Sequence, residues 1–152
     1  MFAFGWSDPI PSTNWTDDGS SYVEMHGGAA PTFDASVTIP AGGYVEWTET
    51  WYPVAGLGGL RYANSLAALN LTAAARQAHL AVATTRRWSG DLILSLDGAE
   101  RWRQTVNLVP GRVFVHQVPL EGDVPASGRL SLSMESEGGG LAAEYHAHYS
   151  LQ

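Results

Sequence analysis

From residue 22 onward the chain alternates apolar and polar positions in short runs, and each run ends in a cluster of turn residues. A period of two predicts strands, because successive side chains of an extended backbone point to opposite faces. Residues 22–26 make the first run, closed by Gly27 and Gly28, and residues 36–39 the second, closed by PAGG at 40–43. Residues 44–52 (YVEWTETWY) form the longest and most aromatic run, ended by Pro53. The stretch 54–60 (VAGLGGL) is too rich in glycine for a regular element. Residues 63–72 are ambiguous: SLAALNLTAAARQAHLA abounds in helix formers, yet Leu69 and Leu71 alternate with Asn70 and Thr72.

The second half alternates more cleanly. Ala78, Leu80, Val82 and Thr84 share one side, and Leu92, Leu94 and Leu96 another. Asp97-Gly98 is the strongest hairpin signal in the chain, with a return strand expected over 102–108. Pro110-Gly111 turns into a strand over 113–118, with Phe114, His116 and Val118 on one face. Leu130, Leu132 and Met134 alternate with Arg129, Ser131, Ser133 and Glu135, as in a strand with one wet face. Glycines 138–140 then lead into a last strand over 141–151. About nine short strands with turns every 8–12 residues predict an all-β fold, an antiparallel β-sandwich. The expected organisation is one domain over residues 1–152, with 1–21 as an irregular N-terminal arm.

Composition narrows the classes. The chain has 152 residues, of which 45% are hydrophobic, enough for one domain with a real core. Its net charge is −7, and its eight cations are scattered arginines with no lysine, which argues against a nucleic-acid partner. With no cysteine, disulfides and thiolate metal sites are excluded. The N-terminus lacks a basic segment followed by an apolar one, and no apolar run is long enough for a membrane span. The expectation is therefore a cytoplasmic protein without membrane association. Asn14-Trp15-Thr16 and Asn70-Leu71-Thr72 match the glycosylation sequon without a secretion signal to accompany them.

In an extended 44–52 run, Val45, Trp47, Glu49 and Trp51 share a face, so a carboxylate sits between two indoles. Indole faces suit the C–H face of a pyranose, and a carboxylate is a strong acceptor for its hydroxyls. The competing reading makes Trp47 and Trp51 core residues, with Glu49 paired to an arginine. Tyr22, Glu24 and His26 form a second polar face, where Glu24 and His26 could do acid–base work or simply line an edge strand. His146 and His148, with Glu144 beside them, have the spacing of two metal ligands on one strand face, but no third partner is evident and an exposed polar face accounts for them. No metal or cofactor is expected.

Three segments, taken in order, resemble an uncharacterised group of bacterial proteins related to the galactose mutarotase-like superfamily: NWTDDGSSYVEMHGGAAPTF (14–33), PAGGYVEWTETWYPVAGLGG (40–59) and YANSLAALNL (62–71). The resemblance implies a large antiparallel supersandwich and an association with sugars, with this chain similar to the C-terminal part of such proteins. It carries a sugar-facing carboxylate onto Glu49 first and Glu24 second. It carries no catalytic role onto His26, where the resembling proteins have tryptophan, and the half that would supply catalytic histidines is missing. Three functions follow as expectations. In the first, a carbohydrate-binding domain uses Trp47, Glu49, Trp51, Tyr52, Glu24 and His26. In the second, an accessory or assembly domain forms a homodimer or contacts another domain. In the third, an aldose-epimerase-type enzyme uses Glu49 or Glu24 as base and His26 or His116 as acid.

Overall fold

A computed structural model describes residues 2–4, 16–18, 20, 22–24, 27–30, 32, 34–74, 76–120 and 125–150, and none of these is helical. The chain divides into two compact units, Met1–Thr50 and Trp51–Gln152.

The second unit is an antiparallel β-sandwich of eight strands in two four-stranded sheets, close to the nine expected. Sheet I has the order β10 (Leu141–Ser150), β9 (Ser127–Ser136), β6 (Trp88–Leu96) and β7 (Ala99–Leu108). Sheet II has the order β3 (Tyr62–Ala63), β4 (Ala67–Ala74), β5 (Gln77–Thr84) and β8 (Phe114–Pro119).

Alternation sets which face of each strand is apolar, and register aligns those faces. In sheet I, Leu92, Leu94 and Leu96 lie opposite Met134, Leu132 and Leu130, and all six are at most 2% exposed. Sheet II answers with Leu69, Leu71, Leu80 and Val82, so that one continuous apolar layer fills the space between the sheets. Burying a leucine side chain contributes roughly 1.5–3 kcal/mol. Between β6 and β7, Asp97 and Gly98 have φ of 49° and 82°. Two successive residues at positive φ make the primed turn that matches strand twist, as the Asp-Gly pair predicts.

The ambiguous 63–72 region is not helix: it ends β3, turns over residues 64–66 and continues as β4. Its alternation is blurred because β4 is buried on both faces: Ala67, Leu69 and Leu71 face the core, while Ala68 and Asn70 are covered on the other side. The cover is the glycine-rich segment after Tyr52. Leu57, 5% exposed, seats on Ala68 and Ala81, flanked by Tyr52, Ala83 and Val113. The Asn70 side-chain amide donates to the Leu57 carbonyl at 3.0 Å. At Gly59, where φ is +149°, a Cβ would come within 3.2 Å of that amide, so a side chain there would both strain the backbone and press on the Asn70 amide. The second sequon asparagine is thus buried in a packed interface.

In the first unit, β1 (Phe2–Phe4) pairs antiparallel with β2 (Tyr22–Glu24). The arm expected to be irregular therefore contains a strand, whose partner lies some twenty residues away and leaves no local period. The runs 36–39 and 44–52, expected as strands, join no ladder. Alternation favours an extended chain but does not supply a hydrogen-bonding neighbour, and neither run has a buried face.

Candidate functional site

Trp47 and Glu49 lie in the first unit, and Trp51 and Tyr52 in the second. The Trp47 indole Nε1–H donates to Glu49 Oε1 at 2.9 Å, so these side chains share a side even without a strand. Trp47 is 51% exposed. The Glu49 carboxylate occupies the space that a Cβ on Gly27 would take, so glycine at that position makes room for it. This is a half-exposed indole whose polar edge is tied to a carboxylate. Glu24 lies in β2, and His26 falls outside the described residues.

Trp51 is 48% exposed. Tyr52 is placed as an anchor for the Leu57 segment. Its hydroxyl lies 2.9 Å from the Asn64 carbonyl and 3.1 Å from that of Ala67. Burial, with Tyr62 nearby, pushes its phenol above the ordinary tyrosine value. The same corner contains a residue the sequence reading missed. Asn64 Oδ1 accepts from the backbone N–H of Leu66 at 2.9 Å and of Ala67 at 2.8 Å. Its Nδ2 donates to the Ala142 carbonyl on β10 at 3.0 Å and so ties sheet II to sheet I. An asparagine just ahead of an apolar run is a known turn signal and was the available clue.

His116, the alternative acid, is stacked on Trp102 with ring centroids 4.8 Å apart and lies 6.1 Å from Phe114. These contacts occupy its ring in packing. His146 Nε2 lies 3.3 Å from Glu144 Oε2, and Ser133 Oγ donates to Glu144 Oε1 at 3.2 Å. Among the described residues no three His, Asp or Glu side chains gather as a metal-holding group.

Among the described residues, the outer face of sheet I carries a connected set of charged and hydroxyl side chains. Arg101 on β7 is an extra residue: Leu94 pairs with Trp102, but Ser95 pairs with Glu100. In a regular strand Glu100 and Arg103 would face opposite sides, and the bulge puts both on the outer face. Arg103 then donates through Nη2 to Glu100 Oε2 at 2.8 Å and through Nη1 to Asp91 Oδ2 at 2.7 Å. Thr105 adds a hydrogen bond to Asp91 Oδ1 at 2.6 Å. The Thr105 and Arg103 bonds hold the Asp91 carboxyl below its usual range, and the Arg103 bond does the same for Glu100.

Register places the row Glu100–Ser95–Ser131–His146 beside the row Arg103–Ile93–Ser133–Glu144. The edge strands thus carry the Glu100–Arg103 ion pair on one side and Glu144 beside His146 on the other, and the central strands carry Ser95, Ser131, Ser133 and Ile93 between them. The result is an open depression of about 350 Å³ on the sheet face, with Arg129 among the residues lining it.

No helix among the described residues is long and apolar enough to cross a membrane. Comparison with curated proteins and with solved structures finds no significant match. A family model described as "YphG-like protein, second domain" matches residues 62–145, more than half of the chain and nearly all of the sandwich. The chain belongs to this family of YphG-like second domains.

Proposed function

We propose that the chain is a non-catalytic β-sandwich domain that associates with carbohydrate, using Trp47 as a stacking platform and Glu49 as a hydroxyl acceptor. The observation that carries this is the half-exposed Trp47 indole fixed at its edge by the 2.9 Å bond to Glu49. A platform held in one orientation loses little freedom on binding, and a carboxylate beside it can orient a sugar hydroxyl. The resemblance to galactose mutarotase-like proteins supports the same ligand class. The test is a titration of tryptophan emission with mono- and oligosaccharides at millimolar concentration. A saturable change lost in Trp47→Phe is expected, and emission unaltered by every sugar would reject the proposal.

A second reading, as an accessory or assembly domain of a larger protein, is favoured by a different observation. Val37, Ile39, Val45, Trp47, Trp51 and Val54 are all 36–51% exposed in one stretch of sequence. Exposed apolar side chains favour contact with a second copy or another domain, and the matched family is described as a second domain. Sedimentation velocity across a hundredfold range of concentration checks the homodimer. A single monomeric species throughout would remove it.

A further inference from the structure

We infer that the free edge of β10 pairs with the same edge of a second copy, antiparallel about a two-fold axis at His146, so that two copies of sheet I join into one sheet. The inference rests on the assembly reading and gives its homodimer a surface within the second unit.

A strand at the edge of a sheet presents unpaired N–H and C=O groups, and natural edges are blunted by charge, proline, a bulge or brevity. Among the described strands, three of the four edges of the sandwich are protected in these ways. β7 carries the bulge at Arg101 with Glu100 and Arg103 beside it, β3 has two residues, and β8 is short and ends in Pro119. β10 is ten residues long and has no proline. Past its irregularity at Ala142 it keeps regular register with β9 from Ala143 to Ser150, and β9 is its only ladder partner among the described residues. Its free side borders an open cleft of about 510 Å³ shared with Arg61, Leu71 and Ala73, so the edge is accessible.

This strand is its own complement in one register. Directly opposite residues of an antiparallel pair lie on the same face, so core-side positions meet core-side positions. On that face of β10, Tyr145 and Tyr149 alternate with Ala143 and Ala147. With the axis at His146, Tyr145 meets the partner's Ala147 and Tyr149 meets the partner's Ala143, large against small. Moving the axis one residue either way sets Tyr145 against the partner's Tyr145 or the partner's Tyr149. On the outer face the same register puts Glu144 opposite the partner's His148. An imidazole N–H can donate to a carboxylate whether or not the ring is charged, and Glu144 has lone pairs beyond those used by Ser133 and His146. Symmetry makes each of these pairs occur twice.

Sedimentation velocity and amide hydrogen exchange of the full chain, at neutral pH and physiological salt, test this across micromolar concentrations. A reversible monomer–dimer equilibrium is expected, with exchange in residues 143–149 slowing as the dimer forms. Glu144→Lys sets a cation opposite the imidazole and should weaken the dimer about tenfold. Adding His148→Glu restores opposite charges across the axis and should return dimerisation to within about threefold of wild type, which also shows that the single variant folds. A monomer at every concentration would overturn both the inference and the homodimer on which it rests. A dimer whose protection lies outside residues 143–149, or one indifferent to Glu144→Lys, would overturn the inference alone and leave assembly to another surface. Failure of the charge exchange to restore the dimer would reject the register and the inference with it.

Discussion

Asn64 does at one position what the alternating pattern cannot. Its side chain caps the entry to β4 and reaches across to the bulged carbonyl of Ala142, while its own carbonyl receives the Tyr52 hydroxyl. Asn64→Ala would leave two backbone N–H groups and one carbonyl without these partners, so a loss of about 2–3 kcal/mol is expected in urea unfolding. Asn64→Asp keeps the acceptor and loses the donor, and should cost about 1 kcal/mol by the same measurement. Leu57 is a second such residue, an apolar peg in an otherwise glycine-rich stretch. Leu57→Ala should cost about 2–3 kcal/mol, at the low end for a buried leucine because a loop can settle into the space. The turn at Asn64 had a local clue in the sequence, but its reach to β10 had none, and neither did the packing of Leu57. Asn64 read as one more polar residue, and Leu57 sat in a segment whose glycines hid that it packs on a sheet of alanines.

At the scale of the element, one inserted residue decides the character of a sheet face. Without the bulge at Arg101, Glu100 and Arg103 would lie on opposite sides, and Arg103 could not bridge Glu100 and Asp91. Both carboxyls are held below their ordinary values of 4.5 and 3.8. A depressed folded-state value contributes stability above the ordinary carboxylate range, and that contribution is lost as pH falls through the folded value. The stability difference between the wild-type chain and Arg103→Met should therefore be largest at neutral pH and shrink as pH falls below the ordinary carboxylate range. High salt should reduce the difference at neutral pH, because the network is exposed. A gap that stayed constant from pH 7 to pH 2.5 would show that Arg103 acts through packing alone. The hairpin at Asp97-Gly98 was readable in the sequence, since two positive φ values call for that residue pair. Gly98→Ala should cost about 1 kcal/mol in thermal unfolding. The bulge was not readable: the sequence of β7 does not show where its partner strand will lose register.

At the scale of the molecule, the sandwich was legible where one face of a strand is dry and the other wet. The runs around Leu92–Leu96 and Leu130–Met134 meet this condition, and both join a shared core. Legibility failed where both faces are covered, as in β4, and where neither is, as in residues 44–52. The same division applies to the candidate residues. Trp47 and Glu49 come together as their spacing implies, Tyr52 is engaged in anchoring, and His116 is stacked within the sandwich. The depression on sheet I was not legible, because its residues come from four strands and read separately as ordinary polar positions. Within the sandwich, filling that depression with Ser131→Leu should leave the melting temperature within a few degrees of wild type, since the side chain points away from the core. A large loss would place Ser131 in the packing of the fold.

The sequence alone determined the class of this protein. Alternation with period two, leucines in phase within each run and turn residues between runs leave an antiparallel sandwich as the way to bury one face of every strand. Tertiary structure alone decided what lies on the other faces. Register, a single bulge and a loop laid over alanines are set by partners far along the chain. A local pattern states which side of a strand avoids water, but not which neighbour it meets there. For that reason the core could be read from the residues, and the arrangement of charged and hydroxylic side chains on sheet I could not.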